Sequence, residues 1–268
     1  MRKRLISTIL AIIMVAACAS GGEPSRAPSH DGVDLTVFGA ASLAKALEQV
    51  EVAYESASPG TALTISTDSS AALETQIEQG ARADVFLSAD TTNPRKLVDG
   101  GFADGDAVVF AGNDLTIITP ADNPAGLTTP FDLVKTGVRV IAAGDEVPIT
   151  KYARQLVDNL ATEAGAPADF STLYVANVVS KEDNVAAVRA KIELGEGDAA
   201  IVYVTDAAVS DKLARIDVPD AVDVPASYAG VVVKGSSNAE AAHAFLDWLA
   251  GPDGQATLAT FGFLPPTS

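Results

Sequence analysis

The sequence predicts an α/β protein, and three observations carry that expectation. Short β-type runs alternate with amphipathic helical runs from Val33 onward. One of the runs is apolar enough to be a strand buried on both faces. The composition, 48% hydrophobic and 20% charged over 268 residues, suits a soluble α/β chain with a good core. Leu35 and Val37 alternate as the first strand, and Gly39-Ala40-Ala41-Ser42 opens a helix striped by Leu43, Leu47, Val50 and Tyr54. Leu63-Thr64-Ile65-Ser66 is a second strand. Ser69-Ser70 then opens a helix with Leu73 and Ile77 inward, ended by Gly80. Asp84-Val85-Phe86-Leu87 is the strand buried on both faces.

A second unit starts near Leu115-Thr116-Ile117-Ile118 and continues in Val138-Arg139-Val140-Ile141. Pro148-Ile149-Thr150 leads into a helix bearing Tyr152, Leu156 and Leu160, closed by Gly165. Another helix, from about Asp183, carries Val185, Val188 and Ile192 and stops at Gly195. Ala199 to Tyr203 is a strand. After Tyr228 the run Val231-Val232-Val233 returns the chain to the first unit. Two helices follow, one around Phe245, Trp248 and Leu249, the other starting with Pro252 at the favoured first helical position.

The N-terminus reads as an export signal. Arg2, Lys3 and Arg4 precede an apolar stretch of 13 residues from Leu5 to Ala17, too short for a comfortable membrane span and right for a signal peptide over 1–17. It ends in Val15-Ala16-Ala17-Cys18, which resembles a lipobox, so Cys18 is expected to be lipidated and to become the first residue of the mature protein. Residues 18–32 are rich in Gly, Ser and Pro and read as a tether; His30 within it has no expected role. The expected location is extracytoplasmic, anchored to the membrane through Cys18.

Charge and residue counts exclude several classes. Eighteen Lys and Arg against 35 Asp and Glu give a formal charge of −17, which repels nucleic acid and anionic lipid. Cleavage before Cys18 removes three cations and makes the mature domain more acidic still. One Cys and two His leave no disulfide framework and almost no Cys/His metal cage. There is no Gly-x-Ser-x-Gly elbow and no phosphate-binding glycine loop. His243, on a C-terminal helix, reads as a packing or surface residue. An enzyme is not expected.

What remains is a set of small or hydroxyl residues where strands give way to helices: Ser42, Ser70, the Ile149-Thr150 turn and Val185. Helix starts present unpaired N–H groups and the positive dipole end, which together make an anion site without a cation. On spacing alone, the commoner fate of Ser42, Ser70 and Thr150 is a plain N-cap.

A resemblance adds to this reading. Val37-Phe38-Gly39-Ala40-Ala41-Ser42-Leu43 resembles the opening of the periplasmic molybdate-binding proteins of ABC importers. Ser69-Ser70 through Leu73, Gln76-Ile77-Glu78-Gln79-Gly80 and Ala83-Asp84-Val85-Phe86-Leu87-Ser88-Ala89-Asp90 is similar to that family's most specific signature. The likeness continues through Asn113-Asp114-Leu115, Val147-Pro148, Lys151-Tyr152-Ala153 and Asn184-Val185. It closes with Gly197-Asp198-Ala199-Ala200-Ile201-Val202-Tyr203 and Thr205-Asp206-Ala207. It covers residues 33 to 263 in order.

The resemblance implies a two-lobed α/β fold of the type II periplasmic-binding-protein kind, with a ligand cleft between lobes joined by two chain crossovers. Lobe I would hold 33–112 and 226–268, and lobe II 113–225. It implies that molybdate or tungstate is the ligand, that no cofactor is needed, and that the protein works as a monomer with a membrane permease and ATPase. The oxyanion donors would be Ser42, Ser70, the amides of Ile149 and Val185, and the Tyr203 hydroxyl. In one departure, Pro148-Ile149-Thr150 stands where the family usually has Pro-Ala-Gly; an amide donor survives the change, but the pocket's size can alter. An all-donor site also disfavours protonated phosphate, whose O–H would lack a partner.

Other readings are weighed against it. Sulfate or phosphate on the same fold differs by size or protonation. A ferric site needs clustered tyrosines, and Tyr203 has no tyrosine beside it in sequence. An amino-acid binder needs an Arg clamp, and no candidate position is Arg. A purely structural lipid-anchored surface protein is the remaining class.

Overall fold

The computed structural model describes residues 32–266. Cys18, the signal segment and His30 lie outside them.

The first sheet takes its strands from both ends of the described chain. β1 (Val33–Ala40) pairs in parallel with β2 (Thr61–Asp68) and with β3 (Val85–Ser88). β10 (Ala226–Val232) runs antiparallel between β3 and β4 (Val108–Asn113), giving the order β2-β1-β3-β10-β4. All four residues of β3 are buried, as its apolar run requires of a strand covered on both faces. Helix α1 (Ala44–Ala57) buries Leu47, Val50 and Tyr54 against this sheet's core, while α2 (Ser70–Glu78) buries Leu73 and Ile77 with Phe86 and Val231. At Gly80 the backbone turns left-handed (φ +91), which ends that helix turn without a Cβ clash.

The second sheet is built from the middle of the chain. β5 (Leu115–Pro120) lies antiparallel between β8 (Ala200–Tyr203) and β9 (Leu213–Ile216). β6 (Val140–Ala143) pairs in parallel with β7 (Val178–Glu182), and a single bridge from Val140 to Ala199 links this pair toward β8. Around it pack α4 (Pro148–Ala161), α5 (Phe170–Asn177), α6 (Val185–Glu193) and α7 (Val204–Ala208). The chain passes between the sheets twice, at Asp114 between β4 and β5 and between β9 and β10. Two helices, α8 (Ala239–Ala250) and α9 (Pro252–Ala259), close it.

Several details differ from the sequence reading. The helix expected to open at Ser42 starts at Ala44, after a short 3-10 turn at Ala41–Leu43. The strand expected at Val138 begins at Val140. Helix α3 (Thr92–Asp99) was not anticipated: it is short, and its buried positions include Asn93 and Pro94 beside Leu97. Helix α5 buries only Phe170 and Tyr174, too few to mark a stripe, and β7 is partly exposed throughout.

Candidate functional site

Local sequence makes three of the helix starts that meet between the two sheets. Ser69 is extended (φ −55, ψ 135) and Ser70 is the first residue of α2. Val147 is extended, and Pro148 supplies a preset φ and no N–H, so Ile149 carries the first amide of α4. Asn184 is extended too, and its Oδ1 accepts from the Ala187 N–H at 3.0 Å, the only side-chain capping bond among these three starts. That cap covers the third amide of α6 and leaves the Val185 amide, at its first position, without an intrahelical acceptor. Tyr203 ends β8 from the other side.

These elements bring Ser42, Ser70, Ile149, Val185 and Tyr203 to one pocket, completed by Ala40, Ala41, Ser69, Ala89, Val147, Pro148 and Asn184. No lining side chain is charged. The pocket is small, with a cavity volume of about 10 Å³. Near the pocket, two contacts join elements from the two halves of the fold. The Asn184 amide donates to Asp68 Oδ1 at 3.0 Å, and Lys151 Nζ donates to Thr92 Oγ1 at 3.4 Å.

The hydroxyls do not act as caps, contrary to the plain N-cap alternative. Ser70 Oγ accepts from the Ala89 N–H at 3.0 Å, Ser42 Oγ lies 2.9 Å from the Tyr228 hydroxyl, and Thr150 Oγ1 donates to the carbonyls of Ala143 and Gly144. Ser69 Oγ and the Tyr203 hydroxyl are buried with no partner at all. Burial pushes the Tyr203 and Tyr228 phenols well above their ordinary range and Tyr152 up to about 12, so each keeps its proton at neutral pH.

Tyr203 does have tyrosine neighbours in space, although none in sequence. Its ring packs edge-on against Tyr152 and Tyr228, with centroids at 6.2 and 5.6 Å. No His, Cys, Asp or Glu group suited to a metal accompanies the cluster among the described residues. His243 is exposed, 3.4 Å from Asp104.

A larger cavity, about 370 Å³ in volume, lies against α4. Its walls are mostly apolar, from Ala153, Val157, Tyr174 and Val178, and its mouth cations Arg154 and Lys181 are both paired with Asp145.

Ser69, Asn184, Asn113 and Tyr228 were not singled out as site residues by the sequence reading. Ser69 and Asn184 adjoin residues that were, so a closer look at each helix start could have found them. Tyr228 stands 186 positions from its partner Ser42, and no local pattern announces that contact.

Residues 35–264 match the family model described as bacterial extracellular solute-binding protein. The chain is 31% identical over 264 residues to the molybdate-binding protein ModA of Mycobacterium tuberculosis, covering 98% of this chain and 97% of that one. It is 30% identical to ModA of Escherichia coli K12, over 85% of this chain and 88% of the relative. Among solved structures, the periplasmic molybdate-binding protein of Azotobacter vinelandii superposes with a TM-score of 0.71 at 24% identity, covering 87% of this chain and all of the other. The sulfate-binding protein SubI of M. tuberculosis superposes with a TM-score of 0.78 at 21% identity, covering 87% of each chain. These likenesses establish the two-lobed type II architecture that the resemblance implied.

Proposed function

This chain belongs to the bacterial extracellular solute-binding proteins, and on that premise we propose that it captures molybdate, or its near-twin tungstate, outside the cytoplasm for delivery to an ABC importer. It is a binding protein rather than an enzyme, and the oxyanion is its cargo rather than a cofactor. The observation that supports this best is the convergence of Ser42, Ser70, Ile149, Val185 and Tyr203 on one small pocket lined by no cation.

A dianion in such a pocket is held by dipoles alone. Two serine hydroxyls, the Tyr203 phenol and the first-turn amides of α4 and α6 all donate, and the helix N-termini add their partial positive charge. Hydrogen bonds to a charged group contribute about 1.5–3 kcal/mol each, so five donors suffice for tight binding after the ordering cost. In this reading 33–112 with 226–268 form one lobe and 113–225 the other, and ligand bridges them. Cys18 anchors the mature protein to the membrane, residues 18–32 are its tether, and a monomer docks on the permease and its ATPase.

Titration of the purified protein with molybdate, tungstate, sulfate and phosphate by calorimetry tests the assignment. Tight binding of the first two and much weaker binding of the others is expected; no heat from any of the four would sink it. Sulfate is the second reading. It is favoured by the branched Ile149 side chain in the pocket wall, where added bulk narrows the space, and sulfate binding tighter than molybdate would establish it.

A further inference from the structure

We infer that Tyr228, oriented by Asn113, fixes Ser42 as a hydrogen-bond donor and thereby sets the pocket's preference for oxyanions that carry no proton. The inference rests on reading the pocket as an oxyanion site, and it concerns two residues outside the pocket lining.

The argument is one of proton direction. The Asp114 backbone N–H can only donate, and it lies 3.1 Å from Asn113 Oδ1, so that oxygen is the acceptor end of the amide. Asn113 Nδ2 therefore faces the other way, donating one hydrogen to Thr205 Oγ1 at 2.8 Å and the other to the Tyr228 oxygen at 3.3 Å. Tyr228 is fully buried, and its remaining neighbour within hydrogen-bond reach is Ser42 Oγ at 2.9 Å. A buried phenol proton with no acceptor is costly. Tyr228 accordingly donates to Ser42, and the serine's own proton is released to point elsewhere. The pocket that Ser42 lines is open to it.

Ser70 reaches the same state by a different route. Its oxygen accepts from the Ala89 backbone N–H at 3.0 Å, so its proton too is free. That polarity is set by the main chain, whereas the polarity of Ser42 depends on the Asn113–Tyr228 pair alone. With both serines donating, an oxyanion that is all acceptor satisfies every group. One that keeps a proton meets no lone pair to receive it.

The Tyr228 ring packs edge-on against Tyr203, Phe110 and Phe263, so Tyr228→Phe keeps the packing and removes only the relay. In that variant Ser42 Oγ regains a free lone pair. Asn113→Asp goes further: a carboxylate only accepts, so the Tyr228 proton turns to it, Ser42 donates to Tyr228, and the serine presents a lone pair to the ligand.

The readout is the ratio of phosphate to sulfate dissociation constants, measured by displacement of molybdate at about pH 8, where phosphate is chiefly a dianion with one proton. Sulfate matches it in size and charge, so any charge added by Asn113→Asp cancels in the ratio. We expect the ratio to fall about tenfold in Tyr228→Phe and further in Asn113→Asp. Equal weakening of both anions, with the ratio unchanged in both variants, would overturn the relay while leaving the oxyanion reading intact. Wild-type protein that binds no oxyanion overturns both together.

Discussion

At the scale of single residues, the Tyr203 hydroxyl is buried without a partner, which costs the folded protein about 1–3 kcal/mol. A ligand oxygen in the pocket would supply the missing acceptor. Tyr203→Phe should therefore weaken molybdate by about 1–3 kcal/mol, roughly 5- to 150-fold, while the ligand-free protein melts no lower than wild type. Ile149→Ala keeps its amide and should cost far less affinity, with looser discrimination by size. Calorimetry on the pair decides between them: equal losses, or none at Tyr203, would refute the donor assignment. Asp206 behaves differently. It is buried on α7 with one oxygen unpartnered, and Arg189 sits 3.6 Å from the other. Burial raises its pKa to about 7 against the opposing pull of Arg189 and a bond from the Tyr203 backbone. The folded state thus keeps a proton that the unfolded chain releases from roughly pH 4 upward, so this group lowers stability progressively as pH rises from there to about 7. Asp206→Asn removes that penalty. The drop in denaturation free energy between pH 5 and pH 8 should shrink in the variant, at about 1.4 kcal/mol per unit of the lost shift; an unchanged slope would show that Asp206 is ionised in the fold.

At the scale of elements, the pocket depends on helix starts more than on any one side chain. Asn184 holds one of them twice over, capping the Ala187 N–H and reaching across to Asp68. Asn184→Ala should lose about 0.5–2 kcal/mol of stability through the cap and weaken molybdate as well. Asn184→Ser restores a capping oxygen but is too short to reach Asp68. It should recover stability more fully than affinity in paired denaturation and calorimetry experiments, and equal recovery of both would remove the cross-pocket bond from the account. The elements that meet here were legible because each carries its own marks: Ser69-Ser70 before Leu73 and Ile77, Pro148 before Tyr152 and Leu156, Asn184-Val185 before Val188 and Ile192. Helices α3 and α5 were not legible. A short helix with two or three buried positions is specified by what it packs against, and periodicity has too few residues to register.

At the scale of the whole molecule, the proposed site asks a chain of net charge −17 to bind an anion without a cation in the pocket lining, and this has a measurable consequence. Raising ionic strength from about 0.01 to 0.15 M shortens the screening length from about 30 to about 8 Å. Molybdate affinity should hold or rise slightly, because only long-range repulsion is screened; a steep loss with salt would point to a Lys or Arg clamp. Anchoring is a separate matter from binding, since the segment 18–32 stands between Cys18 and the fold. Cys18→Ser should move the protein from the membrane fraction to the soluble one with molybdate affinity unchanged, and a variant that stays membrane-bound would disprove the lipobox. By itself, the sequence determined the alternation of strands and helices and most of the helix starts, because each is written in residues close together along the chain, whereas the candidate donors were named through the family resemblance. Only the tertiary structure decided which way the hydroxyls face. The partners of Ser42 and Ser70 lie 186 and 19 positions away, and Tyr203 and the two tyrosines around it come from three different elements. A proton's direction is set by the neighbours that folding supplies, and no spacing along the chain encodes those.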